Sequence, residues 1–124
     1  MPPQPPSELR FPSGFLLGSS TAAHQVEGGI ENDWAPFEAA TGNVKQGDRS
    51  TLAVDHYNRY DEDFGLAQDM GHNAHRLSIE WSRIEPVRGT WNWDAVRHYH
   101  AVFASMERRC ALWPMSCANP KSSS

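Results

Sequence analysis

From Ala74 to Trp81 the chain alternates residue by residue, with Leu77, Ile79 and Trp81 on one side and Arg76, Ser78 and Glu80 on the other. That is the period-two signature of a β-strand. The strand lies between two stretches of helical period. Before it, Ala53, Tyr57, Tyr60, Phe64 and Ala67 recur at steps of four, three, four and three, with Gly71 as a stop signal. After breaks at Pro86 and Gly89, Val96, Tyr99, Phe103 and Met106 recur at steps of three, four and three, behind Asn92 or Asp94 as a cap. A short apolar run, Phe15–Leu17, precedes all of this. The predicted order is strand, helix, strand, helix, which implies βαβ units and a parallel sheet with helices laid over it.

The flanking segments set the boundaries. Residues 1–10 open Met-Pro-Pro-Gln-Pro-Pro-Ser, which neither feeds a ladder with amide donors nor starts a helix, so an extended, mobile leader is expected. Phe15–Leu17, followed by small residues, suits a buried strand that runs into a tightly packed loop. Residues 28–50 show recurrent Gly, Asn, Asp and Pro without a sustained period. They read as a long loop with one helical turn, with Trp34 and Phe37 pinning it against something apolar. Residues 110–124 should supply a third strand, but their prolines and scarcity of β-branched residues predict a divergent, disordered tail.

A length of 124 residues allows one ordinary domain. The net charge of −4 and the scattering of basic residues argue against a nucleic-acid partner. No stretch approaches the roughly 18 apolar residues that cross a bilayer, and no basic-then-apolar leader marks export. A cytoplasmic protein without a membrane partner is expected. Cys110 and Cys117 both fall in the C-terminal stretch and read as reduced thiols rather than a disulfide framework.

Few residues suggest chemistry on their own. Glu80 and Glu85 flank a strand end and could face one cleft, although surface carboxylates are common. His98 and His100 lie about 200° apart around one helix. His72 and His75 have no acid or thiol close in sequence, so neither a metal nor a cofactor is expected. Gly14, Gly18, Gly28 and Gly29 form no phosphate-binding loop. Arg76 is different, because with Leu77 and Ile79 under the helices it occupies what would be the interior of a closed parallel barrel. A guanidinium there requires a carboxylate partner. Either Glu80 or another buried acid pairs with it, or it serves a carboxylate-rich site.

Two long segments carry a resemblance. Phe11-Pro-Ser-Gly-Phe-Leu-Leu-Gly-Ser-Ser-Thr-Ala-Ala-His-Gln-Val-Glu-Gly-Gly resembles the N-terminal signature of the glycoside hydrolase family 1 β-glycosidases. Asp55-His-Tyr-Asn-Arg-Tyr-Asp-Glu-Asp and Met70-Gly-His-Asn-Ala-His-Arg-Leu-Ser-Ile-Glu-Trp-Ser-Arg-Ile-Glu-Pro resemble its first helix and second barrel strand. The similarity implies an α/β fold, an incomplete (β/α)₈ TIM barrel of which residues 11–109 are the first two to three βα units. It implies a site at the C-terminal ends of the strands, a β-glucoside-type sugar as ligand, no cofactor, and a retaining mechanism with two glutamates. Gln25 matches a glutamine that hydrogen-bonds sugar hydroxyls, against the simpler reading of a loop-bracing amide. Arg76 matches the arginine that keeps the nucleophilic carboxylate ionised.

The family's acid/base glutamate belongs to a Thr-x-Asn-Glu-Pro motif and its nucleophile to a Thr-Glu-Asn-Gly motif, and this sequence contains neither. Ile84-Glu85-Pro86 is a decoy in the second strand's loop. After Arg109 the chain departs from the family's His-Phe-Thr-Leu-Pro segment, and a frame shift or truncated gene model near that point is the working hypothesis. Resequencing that returned a continuous reading frame would refute it. The expectation is a chain inactive alone and prone to aggregate, or a non-catalytic piece that complements a separately encoded remainder of the barrel.

Overall fold

A computed structural model describes residue 8, residues 10–109 and the strand at residues 115–118. Its elements run β1 (Gly18–Ser20), α1 (Ala23–Val26), α2 (Trp34–Ala39), α3 (His56–Asp69), β2 (Ala74–Ile79), α4 (Trp81–Ile84), α5 (Trp93–Arg109) and β3 (Met115–Ala118). The strands form one parallel sheet in the order β1-β2-β3. Gly18 faces Ala74 in the first pair, and Arg76 faces Met115 in the second. Sequential parallel strands with helices between them are the βαβ units that the alternating pattern predicts, and their order fits the opening arc of the barrel that the family resemblance implies.

One face of β2 carries the core. His75 and Leu77 are buried under the helices, whereas Arg76 on the other face is exposed. Phe64 from α3 and Val102 and Met106 from α5 close over Leu77, with Tyr60, Ile79 and Phe103 at the margin. A second group joins Ile84, Ala95 and Tyr99. Truncating a fully enclosed Phe64 or Met106 to alanine costs about 2–5 kcal/mol by the usual core-deletion scale. The helix ends follow local chemistry. Asn92 Oδ1 accepts the amides of Asp94 and Ala95 at 3.1 and 3.2 Å, so Asn92 caps α5. Gly71 adopts φ +80° and closes α3 with two bonds, Gly71 N to Gln68 O at 2.9 Å and His72 N to Ala67 O at 3.0 Å.

Gly18 sets the spacing of β1 against β2, because a Cβ built on it would lie 2.0 Å from the Ala74 carbonyl oxygen. Behind it, Asn73 extends the contact by accepting the Leu17 amide at 2.7 Å and donating to the Phe15 carbonyl at 2.9 Å.

Several expectations need correction. The first strand begins at Gly18, after the apolar run, and Phe15, Leu16 and Leu17 are exposed, with Phe11 stacked on the Phe15 ring at 4.5 Å. Ala53 has φ 49° and precedes α3 rather than belonging to it. Trp81 starts α4 instead of ending β2. The buried line of α5 runs through Ala95, Tyr99, Val102 and Met106, with Val96 and Phe103 on its flank, so the stripe is rotated slightly from the predicted one. Trp34 and Phe37 are exposed and meet each other edge to face at 5.5 Å instead of pinning α2 to the core. Within the stretch expected to be a tail, residues 115–118 pair with β2. Its remaining residues and the Pro-rich start of the chain, as well as both cysteine side chains, lie outside the described residues.

Candidate functional site

At the C-terminal ends of β1 and β2 the chain opens a cleft of about 1010 Å³, walled by α1, the segment from Glu31 to Pro36, and residues 78–82. Gln25 lies on this wall and is exposed to it. Its short helix has no side-chain cap of its own. The Ala23 amide instead donates to Ser78 Oγ at 2.8 Å, so the interior-facing hydroxyl of β2 satisfies an orphan helix donor and fixes where α1 begins.

The other end of α1 is tied by Glu27. This carboxylate is 4% exposed, accepts from Arg83 Nε at 2.9 Å and takes the Tyr99 hydroxyl at 2.9 Å. Tyr99 in turn accepts the Glu80 amide at 3.1 Å. Arg83 also donates to the Gly28 carbonyl and lies over the Tyr57 ring with its guanidinium carbon 4.0 Å from the centroid. Burial pushes the Glu27 carboxyl above its ordinary range, while the Tyr99 hydroxyl and Arg83 hold it down in part. Loss of solvent also raises the Tyr99 phenol, with the neighbouring Glu27 charge adding to the effect. Gln25 is thus held between two anchors, Ser78 and Glu27.

A third tie lies beside it. His24 Nε2 meets Glu38 Oε1 at 2.8 Å, and the Ser50 amide and hydroxyl donate to Glu38 Oε2 at 2.8 and 2.9 Å. The Ser50 amide, followed by His24, lowers the Glu38 carboxyl to about 2. The segment before α3 is thereby fastened to the residue next to Gln25.

Of the residues singled out from sequence, Gln25 and Glu80 both line the cleft. Glu80 is fully engaged in bracing. It accepts from Asn32 Nδ2 at 3.0 Å and from the Ser82 hydroxyl at 2.8 Å, and caps α4 through the Ser82 amide. Glu85 accepts from Trp81 Nε1 at 2.8 Å and the Gly89 amide at 2.7 Å. Arg76 lies on the concave face of β2, as the alternation predicts, and of the alternatives left open for it the pairing with Glu80 is not the one found. Its guanidinium donates to Ser20 Oγ at 3.2 Å, and among the described residues it has no ion pair. Glu80 is bonded to Asn32 and Ser82 instead. His72 and His75 both reach Ser19 Oγ, at 3.5 and 3.1 Å, and His75 also reaches Thr21 at 3.3 Å. Glu27, Arg83 and Tyr99 were not legible as a unit. The available signal was an acid directly before Gly28-Gly29.

Comparison with known proteins gives this geometry a lineage. The model of glycosyl hydrolase family 1 matches residues 7–114. Beta-glucosidase A of Thermotoga maritima is 45% identical in an alignment of 104 residues that covers 78% of this chain and 23% of that protein. A 1,4-beta-D-glucan glucohydrolase of Thermotoga neapolitana is also 45% identical, with 78% of this chain and 24% of that protein covered. Among solved structures, the family 1 β-glucosidase from Thermotoga maritima superposes with a TM-score of 0.78 at 35% identity, over 89% of this chain and 26% of that one. A mutant rice β-glucosidase in a covalent complex with Glc gives 0.79 at 34% identity, over 90% of this chain and 24% of that one. The chain therefore spans about a quarter of the length of these relatives. With the family model covering most of its residues, and with the same barrel arc, the chain belongs to glycosyl hydrolase family 1.

Proposed function

We propose that this chain supplies the first wall of a retaining β-glucosidase-type site, with a β-linked glucoside, including 1,4-β-glucan-type substrates, as the ligand of the complete barrel. The observation that carries this reading is Gln25, held between Ser78 and Glu27 on a cleft at the C-terminal ends of parallel barrel strands. Its amide offers both a donor and an acceptor to sugar hydroxyls. Arg76 is exposed on the concave face and makes no ion pair among the described residues, which supports a role in keeping a facing nucleophilic carboxylate ionised. The hydrolysis itself takes two carboxyls, one protonating the leaving oxygen and the other attacking the anomeric carbon. Glu80 and Glu85 are committed to capping and bracing, and the family's two glutamate motifs do not occur in this sequence. The chain alone is accordingly inactive. Purified chain incubated with an aryl β-glucoside should release no aglycone above buffer. Turnover abolished by Glu80→Gln or Glu85→Gln would show that the chemistry lies here instead.

The exposure of Arg76 on the concave face favours a second role for the isolated chain as a complementing piece of a barrel. A polypeptide holding the remaining strands should co-purify with it and restore aryl β-glucosidase turnover. Failure of both would remove this role.

A further inference from the structure

Three tryptophans run outward from the cleft. Trp81 lines it, Trp91 meets Trp81 edge to face at 5.8 Å, and Trp93 follows Trp91 at 6.5 Å with their planes 32° apart. Trp91 is 48% exposed and Trp93 63% exposed. Large apolar rings held in water in a contiguous group point to a binding surface.

The place of Trp93 on α5 argues against a surface that closing a barrel would cover. It precedes Ala95 by two residues, about 200° around the helix. Ala95, Tyr99, Val102 and Met106 face the sheet, so Trp93 faces directly away from it. Strands that complete a barrel add to the sheet edge, and their helices join the outer ring beside α5, so the side of α5 turned from the sheet stays outermost. The patch is also rigid. The Asn92 amide donates to the Ile84 carbonyl at 2.8 Å, and Thr90 N bonds Val87 O at 2.8 Å, so the backbone on either side of Trp91 is fixed before any ligand arrives.

We infer that Trp91 and Trp93 form an accessory sugar-stacking surface for the distal residues of a β-1,4-linked gluco-oligosaccharide whose near end lies in the cleft. The inference rests on the sugar-binding reading of that cleft and extends it outward. Flat indole faces cover the apolar C–H faces of pyranose rings while the hydroxyls at the rim stay hydrated. The continuity through Trp81 favours a linear saccharide over a second copy of the chain, since a saccharide can occupy the cleft and the outer rings together.

The test uses the full chain, ligand-observed saturation-transfer NMR and two probes, methyl β-glucoside and cellohexaose. Cellohexaose should bind more tightly than methyl β-glucoside. Trp91→Ala and Trp93→Ala should each weaken cellohexaose about tenfold, equivalent to ~1.4 kcal/mol, with methyl β-glucoside unaffected. Trp93→Tyr, which keeps a ring, should stay within about threefold by the same conversion. Phe11→Ala removes a different exposed aromatic and should change nothing. Cellohexaose affinity that is insensitive to both tryptophan changes, or equally sensitive to Phe11→Ala, overturns the inference. So does loss of self-association in Trp93→Ala without loss of cellohexaose binding. If Gln25→Ala leaves methyl β-glucoside unchanged while the tryptophan variants still weaken cellohexaose, the reading of Gln25 fails and the outer surface is supported.

Discussion

The Tyr99 hydroxyl meets the Glu27 carboxylate at 2.9 Å, joining residues 72 positions apart in the chain. The same oxygen accepts the Glu80 amide, so one phenol connects α5, the end of α1 and the turn after β2. Tyr99→Phe keeps the ring and leaves a carboxylate and an amide each short of a partner. It should cost about 1–3 kcal/mol, the penalty of buried groups left unsatisfied. A urea titration followed by tryptophan fluorescence measures the loss, and an unchanged midpoint would sink the claim that this phenol ties the site together.

Glu27→Gln removes the charge opposite Arg83 but retains hydrogen-bonding capacity. Breaking a buried pair by neutralising one partner leaves the other uncompensated, at a cost of about 3 kcal/mol or more. The companion Glu27→Gln/Arg83→Met should recover part of that stability, since it removes the guanidinium that the single change leaves uncompensated. A double-mutant cycle with no coupling between the two positions would contradict the arrangement.

Ser78→Ala leaves the Ala23 amide without its acceptor and should loosen α1 without touching the core. The expected loss is about 1 kcal/mol, with faster hydrogen exchange at Ala23. Ser78→Thr should restore protection, because its hydroxyl can occupy the same place.

Acid should weaken the fold through histidine. Burial is the largest influence on His75 and lowers it below the ordinary 6.5, with the charges of His56 and His72 acting in the same direction. His98 is lowered as well, again chiefly by burial. A depressed histidine binds its proton more readily in the unfolded chain, so stability rises with pH through this window and falls below about 6.5. Urea midpoints should decrease from pH 7.5 to pH 5.5, and His75→Gln should flatten the slope. A His75→Gln profile parallel to that of the parent would refute the assignment.

Exposed Leu16, Leu66 and Met70, together with the outer edges of β1 and β3, predict concentration-dependent association of the isolated chain. Sedimentation velocity across a range of concentrations reads it directly. A monomer at all concentrations with one sharp thermal transition would contradict it.

The parts legible in the sequence are those fixed by local pattern. Alternation from Arg76 to Ile79 gave the two faces of β2, Asn92 announced the cap of α5, and Gly71 the end of α3, because each depends on neighbours within a turn or two of chain. Gln25 and the concave position of Arg76 were reached through the family resemblance and the strand pattern together. The contacts among Glu27, Arg83 and Tyr99 span 56 and 72 residues and leave no periodic trace. The exposure of Phe15–Leu17 was misread for a different reason. Apolarity records what a segment is suited to bury against, and among the described residues no surface buries this one.

The close approach at Gly18 shows a further way in which form is stored in such a chain. The first two strands meet where a single methyl group would overlap the Ala74 carbonyl. Gly18→Ala should therefore push them apart at about 1–3 kcal/mol, in the range of overpacked sites. The seam between the first two strands is thus written in a hydrogen atom, and any larger side chain there would have to be accommodated by backbone rather than by a neighbouring side chain.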